Sequence, residues 1–232
     1  MYFKEFYSVD KSIPKNDLEK YFFEGDSSSK KGIHKWMHYF EIYDRYFSKY
    51  RNKKVRILEI GVQMGGSLQM WKEYFGGDSE IVGIDIDSNC KQLEEERIKI
   101  FIGDQADRNF WKKFKEDNGK FDIVIDDGGH TFPQQITTFE EIFSWIGEDG
   151  IYLCEDLHTS YMEAYSGGYK REGTFIEYSK NLIDYLNSWH SSENNLPVND
   201  ITKNTFGIHF YDSVIVMEKR KINPPFHTIN IL

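Results

Sequence analysis

The chain is poor in cysteine and proline, carries no excess of positive charge, and has no long apolar run. Its two cysteines, Cys90 and Cys154, stand far apart with no C-x-x-C pair. That excludes a disulfide framework and a cysteine zinc site, and it suits a reducing compartment. No segment approaches the roughly 20 apolar residues a membrane helix needs. The opening "MYFKEFYSVDKSIPKNDLEKYFFEG" is charged throughout, unlike a secretory leader. A cytoplasmic, soluble chain with no membrane span is expected. With 29 basic against 38 acidic residues, the net charge is −9 and there is no basic run, so nucleic acid is not expected as a partner. A hydrophobic fraction of 39% and an aromatic fraction of 16% exclude a disordered composition. One domain over residues 1–232 is expected, with a helical lead-in at 1–50, a core at 51–220 and a tail at 221–232.

What is present alternates. "VRILEIGV" (55–62), "EIVGIDID" (80–87), "IKIFIGD" (98–104), "FDIVIDD" (121–127) and "GIYLCED" (150–156) are short β-branched runs that read as buried strands. Helical stretches are expected between them. Ser67 is a candidate cap for the helix bearing Leu68, Trp71 and Phe75, and Pro133 suits a first helical turn. Residues 33–47 and 174–190 have helical spacing, and the stripe Trp36, Phe40, Tyr43, Phe47 reads as core. "GDSSSKKG" (25–32) reads as a flexible, solvated stretch. "GIHFY" and "VIVMEK" flank Asp212-Ser213 as a hairpin. The pattern predicts an α/β fold: a mostly parallel sheet with helices on both faces and an antiparallel closing hairpin.

In such sheets ligands bind beyond the carboxyl ends of the strands, and the acidic clusters lie at those ends. In "LEIGVQMGGSL", Gly61, Gly65 and Gly66 allow a close backbone approach, but the spacing is not G-x-G-x-x-G and Glu59 would repel a phosphate. Asp85, about 20 residues past the glycine turn, is placed to accept from two ribose hydroxyls. Asp87 suits a cap for the next helix, and Asp104 can accept from an adenine amino group. A ribose and adenine reader without a phosphate cradle suits an adenosine ligand such as S-adenosylmethionine.

These stretches, together with "HKWMHYFEIYDRYF", "GDQAD", "IDDGGH", "EDLHTSY" and "GTFIEY", follow in order from about residue 33 to 219. As a set they resemble the class I S-adenosylmethionine-dependent methyltransferases, and more narrowly the magnesium-dependent O-methyltransferases of macrolide sugars and related polysaccharide-pathway proteins. The resemblance implies a Rossmann-like, seven-stranded sheet, Mg²⁺ or another divalent cation as cofactor, and a sugar, nucleotide-sugar or glycan acceptor. A homo-oligomer is expected. It implies metal ligation by Asp127, Glu155 and Asp156, and His130 as catalytic base. It also implies cofactor contacts from Glu59, Gly61, Ser67, Asp85, Asp104 and Gln105, with Asp126 beside the cofactor. The lead-in before residue 33 is shorter than the separate N-terminal region of the macrolide enzymes.

The chemistry of the residues agrees. Carboxylates from two strand ends make an all-oxygen site that suits Mg²⁺ better than zinc. A Lewis acid would lower the pKa of a sugar hydroxyl, and an imidazole, titrating free at about 6.5, would take its proton. Plainer readings exist for each residue: Asp126 or Asp127 as a helix cap, Glu155 and Asp156 as a solvated loop, and His34, His38 and His158 as packing residues. "SYMEAYSGGY" (160–169) is a loop that could line the acceptor pocket. A catechol-type O-methyltransferase and a non-catalytic nucleoside-binding protein stand as alternatives.

Overall fold

The five β-branched runs and the closing hairpin build one sheet in a computed structural model that describes residues 13–24 and 31–230. Most of the solvated stretch at 25–32 lies outside the described residues. The strands are β1 (Val55–Ile60), β2 (Ser79–Asp85), β3 (Ile98–Ile102), β4 (Phe121–Asp126), β5 (Ile146–Cys154), β6 (Thr205–Tyr211) and β7 (Val214–Lys219). Their order is β3-β2-β1-β4-β5-β7-β6, parallel from β3 to β5, with β7 antiparallel to both β5 and β6.

The helices are α1 (Asp17–Glu24), α2 (Tyr39–Phe47), α3 (Gly66–Phe75), α4 (Arg108–Asp117), α5 (Phe132–Ile142), α6 (Phe175–Leu186) and α7 (Asp200–Asn204). Alternate strand residues serve two cores, as a pleat requires. Ile57, Ile151, Leu153 and Val216 face α1, α2 and α3 through Leu18, Phe40, Tyr43 and Trp71. Leu58, Tyr152, Cys154 and Met217 face α4, α5 and α6 through Trp111, Phe139 and Phe175.

Three local expectations are corrected. The helix expected from residue 33 begins at Tyr39, because residues 31–36 cross the sheet's end without regular structure. Trp36 therefore leaves the core stripe and is 38% exposed. Ser67 does not cap α3: Gly65, at φ +74°, is the capping residue, and the Ser67 hydroxyl turns inward to donate to Glu59. After β2 the chain makes a 3-10 turn (Ser88–Leu93), which Asp87 caps by accepting from the Asn89 N–H at 2.9 Å. The start of α5 follows its local chemistry. Gln134 Oε1 accepts from the Thr131 N–H at 3.3 Å and from its hydroxyl at 2.6 Å, with Pro133 in the first turn.

The central strand β1 lies between β2 and β4, so the chain leaves it toward one side and returns on the other, where open α/β sheets bind ligands. Gly61 sits at that point with φ +95°, and a Cβ there would lie 2.0 Å from the Asp127 carbonyl oxygen. Gly61→Ala is expected to cost about 3 kcal/mol or more, from the left-handed backbone and the collision with Asp127 together. Denaturant unfolding of the variant checks this, with an unchanged midpoint as the contrary result.

Candidate active site

The turns after β1, β2, β3, β4 and β5 close around a cavity of about 450 Å³. Gly61, Ser67, Asp85, Asp104, Gln105, Asp127, His130 and Asp156 all line it. Glu59, Asp126 and Glu155 do not; they lie fully buried behind its wall.

At the end of β2, the Asp85 carboxylate accepts from the N–H groups of Val62 (2.8 Å), Gln63 (2.9 Å) and Asp87 (2.9 Å). Burial alone would push its pKa up, but these backbone donors outweigh it and hold the carboxyl below its ordinary value. It is therefore a fixed anion at the end of β2, whose Oδ1 accepts from a single backbone N–H and keeps an acceptor position for a hydroxyl donor. Asp104 accepts from the Ala106 N–H at 2.8 Å, which orients it at the end of β3.

Gln105 is 5% exposed and its amide is engaged with the protein. It donates to Asp126 Oδ1 and to Thr138 Oγ1, each at 2.9 Å, and accepts from the Gly129 N–H at 2.8 Å. A Cβ on Gly128 would lie 1.9 Å from its oxygen, so glycine is required where this amide crosses the turn. Gln105 thus shapes the "DDGGH" turn. That turn carries His130 in the left-handed region at φ +58°, and the Thr159 hydroxyl donates to its carbonyl at 3.0 Å.

Asp127, His130 and Asp156 each bring a ligand atom to within 4.8 Å of the others. His130 Nε2 lies 3.5 Å from Asp156 Oδ2 and 3.8 Å from Asp127 Oδ1. Asp156 is also left-handed, at φ +55°. Strained positions of this kind cost of order 1 kcal/mol each and persist where their surroundings over-determine them. Here Tyr39 donates to Asp156 Oδ1 at 2.8 Å.

Glu155 stands outside that trio. Tyr43 donates to its Oε1 at 2.5 Å and Lys35 to its Oε2 at 2.9 Å. Glu59 accepts from Ser67 at 2.7 Å and from the Trp71 indole at 3.2 Å. Lys35, with its side chain 3% exposed, joins these groups: it hydrogen-bonds Asp127 and Glu155 and lies 3.7 Å from Glu59. Burial would push its pKa down, but the three carboxylates reverse this and hold it well above its ordinary value. One ammonium faces Glu59, Asp127 and Glu155, with Asp156 adjoining. The donor set, rich in carboxylate and short of positive charge, fits a divalent cation.

Lys35, Tyr39 and Tyr43 escape a reading by motif. The two tyrosines did carry a signal, an i,i+4 pair on a helix face otherwise apolar, because a buried hydroxyl must find a partner; Lys35 carried none. His158 Nδ1 meets the Ser213 hydroxyl at 2.5 Å, and its ring lies edge-on to Trp36 at 5.8 Å. His38 Nε2 meets the Asp212 carbonyl at 3.0 Å, whereas His34 lines the cavity.

This strand order, with a glycine turn after β1 and carboxylates after β2, β4 and β5, is the architecture of class I methyltransferases. Over most of its length the chain is similar to sugar O-methyltransferases of macrolide and tetracenomycin pathways. It is 35% identical over 205 residues to 8-demethyl-8-(2-methoxy-alpha-L-rhamnosyl)-tetracenomycin-C 3'-O-methyltransferase of Streptomyces olivaceus, covering 83% of this chain and 51% of that one. It is 37% identical over 188 residues to mycinamicin VI 2''-O-methyltransferase of Micromonospora griseorubida, covering 76% of this chain and 47% of that one. A solved structure of the mycinamicin-pathway methyltransferase MycE, in complex with Mg and S-adenosylhomocysteine, superposes with a TM-score of 0.76 at 35% identity over 88% of this chain and 54% of that one. The chain spans about half the length of the curated relatives it matches. No family model matches it. Among the described residues, no helix is long and apolar enough to cross a membrane.

Asp126 supplies a pH test of the site's interior. Burial raises its carboxyl from 3.8 to about 7, against the opposing hydrogen bonds from Gln105 and Tyr152. Its proton is held more tightly in the folded than in the unfolded chain. That stabilisation is complete below about pH 4 and is lost as pH rises through 7. Asp126→Asn is expected to flatten the loss between pH 5 and 8, on the order of a few kcal/mol. Chemical unfolding of metal-free protein at several pH values measures it, and parallel curves for both proteins would contradict it.

Proposed function

We propose that the protein is an S-adenosylmethionine-dependent, Mg²⁺-dependent O-methyltransferase acting on a sugar hydroxyl of a glycosylated acceptor. One observation carries the reading: a cavity with Asp85 and Asp104 at one end has Asp127, His130 and Asp156 at the other. The relatives support it, being named as O-methyltransferases of rhamnosylated tetracenomycin and of mycinamicin, with MycE described in complex with Mg, S-adenosylhomocysteine and mycinamycin VI.

Each residue has a part in this reading. Asp85 accepts hydrogen bonds from the ribose hydroxyls and Asp104 from the adenine, while Gly61 lets the β1 turn approach the cofactor. Glu59 and Asp126, lying behind the wall, act on the cofactor through Ser67 and through Gln105. Asp127 and Asp156 hold the divalent cation. Burial and the neighbouring Asp127 push the Glu155 carboxyl well above its ordinary value, and it contributes the lone pairs that Tyr43 and Lys35 leave open, since a carboxylate offers about four acceptor positions. A divalent cation bound there supplies Lewis acidity, which lowers the pKa of a sugar hydroxyl.

His130 Nε2 faces the same carboxylates and takes the hydroxyl proton as the oxygen attacks the sulfonium methyl in line. The new O–C bond forms as the C–S bond breaks. The products are a methyl ether, S-adenosylhomocysteine and a proton on His130. The donor carries its own activated methyl, so the protein must orient the reactants, remove one proton and exclude water. The homo-oligomer and the cytoplasmic setting expected for the chain belong to this proposal.

The direct test is incubation with S-adenosylmethionine, Mg²⁺ and a panel of rhamnosylated, macrolide-linked and nucleotide-linked sugars, read by mass spectrometry as gain of one methyl. EDTA is expected to abolish turnover and added Mg²⁺ to restore it; full activity in chelator would remove the metal from the reaction. His130→Ala is expected to lower kcat by about 100-fold or more while leaving S-adenosylhomocysteine affinity within about twofold. Unchanged kcat would deny it the role of base.

A further inference from the structure

Residues 31–36 have no regular structure, yet Gly32, Ile33, His34 and Lys35 form one wall of the cavity. Among the described residues, no backbone–backbone hydrogen bond ties residues 31–35 to the sheet. The segment lies directly on the N-terminus of α3. A Cβ on Gly66 would come within 2.3 Å of the Gly32 carbonyl oxygen and 2.5 Å of that of Lys31. Beside it, a Cβ on Gly32 would meet the Met64 side chain at 2.4 Å. Contact this close leaves the segment no deeper position. What keeps it from lifting is a separate matter.

Among the described residues, two of its lysines reach the body of the protein. Lys31 Nζ reaches the Leu93 carbonyl at 3.5 Å, the outer limit of a hydrogen bond. Lys35 is of another order: a buried ammonium fixed on Asp127 and Glu155, with Glu59 at 3.7 Å. Those carboxylates follow or end β4, β5 and β1, three adjacent strands, so the lysine is tied to the rigid middle of the sheet. Its backbone neighbours are the cavity wall.

We propose that Lys35 is a positioning residue that clasps residues 31–36 over the nucleoside end of the cavity, and that cofactor affinity depends on this clasp. The inference rests on the reading of the cavity as a cofactor pocket. A segment held down by one buried ammonium among three carboxylates forms a wall without strand pairing. Its loss would open the pocket while leaving Asp85 and Asp104 where they are.

Two variants act from opposite sides of the segment. Lys35→Met removes the ammonium and keeps the aliphatic stem. Gly66→Ala leaves the ion cluster intact and pushes the segment up from beneath. S-adenosylhomocysteine affinity is measured by calorimetry in EDTA, so that no metal takes part, beside thermal unfolding and hydrogen exchange. Wild-type protein is expected to bind. Both variants should bind at least about tenfold more weakly, with exchange accelerated in residues 31–36 and unchanged in β1 and β4. Lys35→Arg should recover part of the affinity.

A folded Lys35→Met or Gly66→Ala with wild-type affinity overturns the clasp and leaves the cofactor reading standing. Acceleration of exchange across the whole sheet marks a merely structural lysine and also overturns it. Should Lys35→Met not fold, Gly66→Ala decides. Wild-type protein that binds no S-adenosylhomocysteine overturns the cofactor reading, and the clasp with it.

Discussion

Burying carboxylates is the constraint that organises this molecule. Glu59, Asp126 and Glu155 are each 1% exposed or less, a placement that costs several kcal/mol per ion unless each is partnered or protonated. The fold meets the cost three different ways. Glu59 receives a hydroxyl, an indole and a nearby ammonium; Glu155 receives a phenol and the same ammonium; Asp126 receives an amide and tends to keep its proton. Each solution draws a different element toward the sheet's carboxyl end: α3 through Ser67 and Trp71, α2 through Tyr43, and the turn after β3 through Gln105. The site's architecture is therefore a consequence of satisfying these carboxyl groups.

The turns extend this logic to the chemistry. The Asp127 N–H donates to the Ile60 carbonyl at 2.9 Å while its own carbonyl occupies the space a Gly61 side chain would need. The β1 turn and the β4 turn are thus one packed unit, with Gln105 fitted against the next glycine. A unit this closely packed can sustain His130 in a left-handed conformation and present its ring to Asp156, which is left-handed in turn. Small residues at Gly61 and Gly128 are what allow a charged loop to be rigid.

The sheet was legible from residues alone because its strands announce themselves: five β-branched runs, each ended by glycine or acid, and a hairpin around Asp212-Ser213. The cavity residues were legible for the same reason, since Asp85, Asp104, Asp127, His130 and Asp156 sit where strands stop. What resisted reading was residues whose role depends on a distant partner. Lys35 lies in "HKW", next to aromatic residues at helical spacing, and nothing local shows that residues 31–36 cross the sheet unwound. Trp36 was assigned to the core for the same reason. Gln105, a cofactor contact by the resemblance, lines the cavity, and nothing in "GDQAD" shows that its amide also meets Asp126, Thr138 and Gly129. Periodicity reports which face of an element is buried, and it carries no information about which buried polar groups will meet.

The cluster divides into two layers that share one residue. Lys35, Tyr43, Glu59 and Glu155 form an inner layer with almost no access to solvent, whereas His130 and Asp156 open on the cavity. Asp127 belongs to both: one carboxylate oxygen takes Lys35, and the other lies 3.8 Å from His130 Nε2. Asp127 is therefore the side chain through which the two layers touch. Because Lys35 is itself part of the cavity wall, the proposed clasp would bind the Asp85 end and the His130 end of the cavity to the same side chain. In the methyl transfer proposed above, a shared anchor of this kind would couple the placement of the sulfonium methyl to that of the hydroxyl.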